Sequence, residues 1–324
     1  MSGLAVPVID LGAFVQGGRG ERQAAARLFG RAMEESGFAT ITQHGIPVEL
    51  VRSTYEDARA FFALPEAAKR QYTAPEQTKG RGYLPMRIES VAATLDGRTP
   101  PDLCEALVFA SLQRERRGQG LPNYWPAEPA TLAPHVSAYF DAMLLLARQL
   151  MRLSALALDL PEDWFAPMFA EPALTLRFVN YPDQEDEPEP GQLRYGAHHD
   201  YGGLTVLRQD DAPGGLQIRD AAGHWHDVPP HPDSFVINVG DLMSRWTNGR
   251  WRSTLHRVIN PPRALTGSTR RLSMVAFTGP NASTEVACLP TCTDAGNPPR
   301  FEPVNAWAYV QAKLAASHDL APAR

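Results

Sequence analysis

The chain has 324 residues, 44% of them hydrophobic and 21% charged, which is enough apolar content for one large core in a single domain. A formal net charge of −5 and a pI near 6.0 argue against a nucleic acid or an anionic membrane surface as partner. With no apolar run of ~18 residues, no signal-peptide pattern at the N-terminus and only three cysteines (Cys104, Cys288, Cys292), a soluble cytoplasmic protein with reduced thiols is expected. It should be monomeric or weakly homo-oligomeric, and pairing or metal binding by Cys288 and Cys292 is the alternative for the thiols.

In chain order, Gly20–Glu35 has helical periodicity, with Ala24, Leu28, Phe29 and Met33 as its candidate buried face. Val48–Leu64 reads as a second helix stopped by Pro65. Residues 73 to 130 are rich in proline, glycine and arginine and read as irregular. Pro134–Leu158 is a long helix whose stripe Tyr139, Met143, Leu146 and Leu150 suits a core. From Leu174 short strands separated by turn clusters dominate, and Pro182–Gln192 has the composition of a mobile loop. Asp220–Gly223 reads as a turn between Leu216–Arg219 and His224–Val228, Ser234–Asp241 as a buried strand, and Asn248-Gly249 as a hairpin signal. Arg252–Ile259 and Arg270–Phe277 follow as strands, and Ala306–Ala316 is a last helix.

The chemistry-bearing run is Ala197-His-His-Asp-Tyr-Gly202. Side chains alternate along a strand, so His198 and Asp200 share a face while His199 points away as a surface or outer histidine. A third ligand is expected from His256. The other histidines lie in loops or helices without a carboxylate at matching spacing, except for the rival pair His224 and His226, which reads as flanking a turn. Two imidazoles and one carboxylate form the facial triad that holds non-haem Fe(II) and leaves positions open for oxygen and substrate. Arg271 and Ser273 share a strand face. Guanidinium plus hydroxyl suits a carboxylate, and beside ferrous iron the one to expect is the distal carboxylate of 2-oxoglutarate.

These motifs extend over nearly the whole chain. Val6-Pro-Val-Ile-Asp-Leu11, Gly37-Phe38 with His44-Gly-Ile-Pro47, Phe61-Phe-Ala-Leu-Pro65, Lys69, Arg81-Gly-Tyr83 and Asn180-Tyr-Pro182 accompany His198-x-Asp200, His256-Arg-Val258 and Arg271-x-Ser273. The chain resembles the isopenicillin N synthase-like branch of the Fe(II)/2-oxoglutarate-dependent oxygenases. Gln43 in place of a common asparagine and a longer Pro261–Arg270 loop are its departures.

The resemblance implies a mainly β fold with helices. Its core would be a double-stranded β-helix, or jelly roll, with a helical N-terminal part (residues 1–130) packed as one unit with a catalytic portion (131–324). His198, Asp200 and His256 would ligate iron, and Arg271, Ser273 and Tyr181 would bind 2-oxoglutarate. With O2 as oxidant, a C–H bond of a small molecule would be hydroxylated, desaturated or cyclised, releasing succinate and CO2. For the substrate, Tyr83, Arg87, Phe109 and Phe277 are the candidates, Arg87 gripping a carboxylate if the substrate bears one. The rivals are an oxidase that uses no 2-oxoglutarate, an ethylene-forming enzyme and a non-catalytic sensor of oxo acids.

Overall fold

Short strands that bury one face and bend at glycines close on themselves more readily than they extend, and the second half of the chain does so here. The computed structural model describes residues 4, 6–75, 78, 80–96, 99–184 and 186–319. The N-terminal portion runs β1 (Val8–Asp10), α1 (Leu11–Val15), α2 (Arg19–Glu35), β2 (Phe38–Thr42), α3 (Val48–Phe62), α4 (Glu66–Arg70), β3 (Gly82–Leu84), α5 (Ala93–Asp96), β4 (Glu105–Ala110) and α6 (Leu112–Glu115). Then come α7 (Leu132–Ala157), β5 (Ala173–Tyr181), β6 (Tyr195–His198), β7 (Leu204–Arg208), β8 (Leu216–Arg219), β9 (Trp225–Asp227) and β10 (Phe235–Val239). The chain ends with α8 (Asp241–Trp246), β11 (His256–Val258), β12 (Arg271–Gly279), β13 (Glu285–Val286), β14 (Val304–Asn305) and α9 (Ala306–Asp319).

The larger sheet has the order β1-β2-β10-β7-β12-β5-β4-β3 and the smaller the order β6-β11-β8-β9. From β5 to β12 successive strands switch sheets, except where the Asp220–Gly223 turn joins β8 to β9. That alternation is a jelly roll, and strands from the first 130 residues extend its larger sheet at both edges.

Residues of β12 divide between two environments. Leu272, Met274 and Ala276 belong to the main core, which α2, α3 and α7 complete on the outer face of the larger sheet. Arg271, Ser273, Val275 and Phe277 alternate with them and face into the roll. The expected stripe of α7 is fully buried at Tyr139, Met143, Leu146 and Leu150. In α2 the buried face is Ala25, Ala26, Phe29, Gly30, Ala32 and Met33, with Leu28 at its margin and Ala24 exposed.

Two expectations are corrected. The irregular stretch 73–130 contains β4, an apolar strand paired along its length with β5. It is buried on both faces, so it lacks the alternation that marks a half-exposed strand. Asn248-Gly249 makes no hairpin. Both residues have positive φ (54° and 78°) and end α8, and the strand beyond is only His256–Val258. Residues 76, 77, 79, 97 and 98 of the stretch expected to be irregular, and residue 185 of the Pro182–Gln192 loop, lie outside the described residues.

A buried polar knot ties β4 to the helices. Glu105 accepts from Lys69 Nζ (2.7 Å), the Tyr83 hydroxyl (2.5 Å) and Asn180 Nδ2 (2.8 Å). The Lys69 and Glu105 side chains are 10% and 4% exposed. Removing one partner of such a pair leaves a buried charge uncompensated, at a cost of about 3–5 kcal/mol. Glu105→Ala should therefore lower unfolding free energy by about that much, read from urea midpoints. A loss below about 1 kcal/mol would show that the pair behaves as though exposed to water.

Candidate active site

His198 ends β6, and His256 begins β11 directly opposite it in the antiparallel register. Asp200 follows two residues after His198 in a tight turn that leans on β10. A Cβ on Gly240 would meet Gly202 O at 2.5 Å, so only glycine allows this approach, and Asp241 N–H donates to Asp200 O at 2.7 Å. The three residues are buried at 8%, 5% and 8% exposure.

Each histidine is oriented from behind. His198 Nδ1 lies 2.9 Å from Gly196 O and His256 Nδ1 lies 2.9 Å from Thr254 O. A carbonyl only accepts, so both Nδ1 atoms carry the proton and both Nε2 lone pairs face inward. The edges of Tyr195 and Phe38 pack against the two rings at centroid distances of 4.9 and 5.5 Å. On Asp200, Oδ2 accepts from Thr205 Oγ1 and Asn238 Nδ2, both at 2.6 Å, and those residues are cross-strand neighbours on β7 and β10. Oδ1 remains, 3.6 Å from His198 Nε2 and 3.7 Å from His256 Nε2.

Two lone pairs and one carboxylate oxygen thus converge on a single point. Their ligand atoms lie within 4.8 Å of one another, and among the described residues this is the cluster able to hold a metal ion. The protonation states fit. Burial, and then His198, pull His256 down to about 4, which keeps it neutral. Burial pushes the Asp200 carboxyl up, but the two histidines and Thr205 outweigh it and hold the group well below the usual carboxylate range. Two imidazole nitrogens and one carboxylate oxygen with a facial opening match the donor preference of ferrous iron.

His199 turns away, with Nδ1 2.8 Å from Ser253 O. His224 and His226 lie 3.4 and 2.7 Å from Asp220 across the β8–β9 turn, and His226 stands two strands from His256, level with it through Ile218. A cavity of about 460 Å³ backs onto the ligand strands on this outward side, lined by Ala197, His199, Leu255 and Arg257 with Asp102, Arg219 and Trp225. Ala197, His199, Leu255 and Arg257 alternate with the triad, so the cavity lies behind the triad and not in front of it. Burial pushes the Asp102 carboxyl up to about 7, although it accepts backbone N–H bonds from Val91 and Gly196.

The expected co-substrate residues are brought together. Arg271 stands opposite Tyr181 in the β5–β12 register, and Ser273, opposite Val179, is on the same face and diagonal to Tyr181. All three are buried. Burial pushes the Tyr181 phenol above its usual range, leaving it a neutral donor. Arg271 donates through Nη1 to Asp210 O (2.7 Å) and through Nη2 to Gln209 Oε1 (3.1 Å), while its Nε is buried with no protein partner. An orphaned guanidinium N–H on a strand face that also carries the Ser273 and Tyr181 hydroxyls suits an incoming carboxylate.

The four substrate candidates separate. Phe277 shares the inward face of β12 with Arg271 and Ser273 and is half-buried. Tyr83 and Phe109 are 1% and 0% exposed in the main core, Phe109 stacked on Trp125, and this placement removes both from the pocket. Their side chains lie on the core face of β3 and β4, a parity legible only once β4 is known to pair with β5. Arg87 is exposed, with φ of 61°. A half-buried pair was missed instead. Arg177, opposite Val275, binds Glu89 through both guanidinium nitrogens and lies 5.6 Å from the centre of the Tyr195 ring that packs on His198.

A jelly roll with an inward-facing His-x-Asp/His triad on one sheet and a buried Arg271, Ser273 and Tyr181 cluster on the other has the architecture of a metal-dependent oxygenase. Residues 170–280 match the 2OG-Fe(II) oxygenase superfamily, and residues 6–128 match the non-haem dioxygenase N-terminal region described from morphine synthesis. A 2-oxoglutarate-Fe(II) type oxidoreductase of Emericella nidulans is 32% identical over 100% of this chain and 93% of its own length. A homoarginine-6-hydroxylase of Glycine max is 30% identical over 89% of each chain. A full-length Neurospora crassa protein, solved in complex with alpha-KG and thymine, superposes with a TM-score of 0.86 at 28% identity, covering 97% of this chain and 98% of that one. The chain belongs to the 2OG-Fe(II) oxygenase superfamily. It is an Fe(II)- and 2-oxoglutarate-dependent dioxygenase, with O2 as oxidant. Among the described residues no helix is long and apolar enough to cross a membrane.

Proposed function

We propose that His198, Asp200 and His256 hold the iron, that Arg271, Ser273 and Tyr181 hold the distal carboxylate of 2-oxoglutarate, and that the enzyme hydroxylates a compact polar metabolite. The observation that carries this reading is the convergence of two Nε2 lone pairs on Asp200 Oδ1, with every other polar atom of the three side chains occupied from behind. When bound, the iron with 2-oxoglutarate and O2 supplies the oxidising power to break a C–H bond, and the co-substrate leaves as succinate and CO2. The protein contributes geometry. Thr205 and Asn238 fix which carboxylate oxygen is free, the two backbone carbonyls fix the imidazole tautomers, and the Arg271 cluster fixes the end of the co-substrate away from the metal.

The substrate side of the pocket is built from Phe277, Tyr195 and the Arg177–Glu89 pair. Because Glu89 neutralises Arg177, this wall presents a donor and an acceptor side by side with no net charge. It favours a neutral or zwitterionic molecule with adjacent hydrogen-bond donor and acceptor over a simple carboxylate, which corrects the emphasis placed on Arg87. Amino acids and planar heterocycles have that character, and the relatives include a homoarginine hydroxylase and the Neurospora crassa protein crystallised with thymine. The N-terminal portion acts with the roll as one unit, since its strands flank the sheet that carries the site.

A panel of amino acids, pyrimidines and aromatic carboxylates, incubated with Fe(II) and 2-oxoglutarate, tests the proposal through succinate and product. A member of the first two classes should give one succinate per hydroxylated product. Oxidised product without succinate would support the oxidase reading instead, and turnover confined to simple carboxylates would overturn the substrate class.

A further inference from the structure

Arg194 precedes β6 by one residue, and its side chain is fully buried at 0% exposure. Its Nη1 donates to Pro213 O at 2.7 Å, and its Nη2 donates to Thr269 O at 2.5 Å with Thr269 Oγ1 at 3.4 Å. Its Nε, like that of Arg271, is buried without a partner. Among the described residues neither guanidinium has a carboxylate within the 4.0 Å of an ion pair. The two cations flank one phenol: Arg194 Cζ lies 6.0 Å from the Tyr181 ring centre, and Tyr181 stands opposite Arg271. Burial, and then the charge of Arg271, pull Arg194 down to about 10, as expected for two like charges close together in a poorly hydrated place.

Burying one unpaired charge is costly, and burying two side by side is worse unless an anion joins them. A clasp between the Pro213 and Thr269 loops needs only the two Nη donors. It needs neither the orphaned Nε nor a second positive charge beside Arg271. We infer that Arg194 is a second cation of the co-substrate pocket, positioned so that a 2-oxo acid must carry a distal carboxylate to be held well. The inference rests on the reading that Arg271 and Ser273 bind that carboxylate. Arg194 acts as a specificity-determining residue: it adds field and a donor at the end of the co-substrate remote from the metal, and it takes no part at the reacting carbon.

The test compares two five-carbon oxo acids, 2-oxoglutarate and 2-oxovalerate, which differ in the distal carboxylate. Each is titrated anaerobically into the full chain loaded with Mn(II), so that binding is read by calorimetry without turnover. Arg194→Gln should weaken 2-oxoglutarate by roughly 10- to 100-fold, the loss expected for one charge-assisted contact. Binding of 2-oxovalerate should change by less than about threefold, so the preference for the dicarboxylate collapses. Equal weakening of both acids, or an unchanged preference, overturns the inference and leaves Arg194 a loop clasp. Should Arg194→Gln fail to fold, Arg194→Lys carries the test: it keeps the charge and loses the fork. Most of the dicarboxylate preference should then survive, and its disappearance would count against the inference. Arg271→Gln serves as the control. If that variant keeps the full preference, the underlying placement of the co-substrate fails, independently of what Arg194 does.

Discussion

Asp200→Asn is expected to lower affinity for the catalytic metal by more than about 100-fold and to abolish turnover, with the fold retained. Losing an outer hydrogen-bond partner of a metal ligand costs about 10- to 100-fold in affinity or activity, and this change removes the one carboxylate of the proposed ligand set. Asparagine is the informative replacement. Its amide oxygen still accepts from Thr205 and Asn238, whose polar groups would otherwise be left buried and unpaired at about 1–3 kcal/mol each. Its amide nitrogen then occupies the Oδ1 position, where a donor with no lone pair meets two imidazole Nε2 atoms. Metal binding by calorimetry and thermal unfolding of the same samples separate loss of site from loss of structure. Retained metal affinity in a folded Asp200→Asn protein would place the metal elsewhere.

The second large effect belongs to Arg271. Arg271→Gln should weaken 2-oxoglutarate by about 2–5 kcal/mol, roughly 30- to several-thousand-fold, the range for truncating one partner of a buried charged contact. The loss should fall on KM for 2-oxoglutarate, with kcat at saturation reduced far less, because in the proposed placement the residue holds the end of the co-substrate remote from the chemistry. Steady-state kinetics at varied 2-oxoglutarate read both quantities. A fall in kcat with unchanged KM would mean that Arg271 does not hold the carboxylate.

Residues whose roles follow from strand parity were legible before the fold was known. His198 and Asp200 against His199, and Arg271 and Ser273 against Leu272, are separated by alternation alone, and the structure puts the members of each set on one face. His256 lies where expected although the turn before it was misread: Asn248-Gly249 suits a helix end as well as a hairpin, because both need positive φ. What depended on pairing between distant segments was not legible. Thr205 and Asn238 meet on Asp200 only because β7 and β10 are neighbours. Asn238 nevertheless carried a signal, as a lone amide within the buried run Phe235–Val239 that had to find a partner. Tyr83 and Phe109 were assigned to the pocket because β4 went unseen, and without β4 their parity had no reference. Arg177 and Arg194 read as ordinary members of an arginine-rich chain; pairing with Glu89 sets the first apart and complete burial the second.

The central claim is a single metal held by His198, Asp200 and His256, with 2-oxoglutarate bridging from it to Arg271. Anaerobic titration of Fe(II), followed by 2-oxoglutarate, into the metal-free protein tests this most directly. The account predicts one Fe(II) per chain, and 2-oxoglutarate binding that is tight only after the metal is in place and is lost in Arg271→Gln. Binding of 2-oxoglutarate that is equally tight with and without Fe(II), or Fe(II) uptake that is the same in Asp200→Asn as in the wild type, would contradict it.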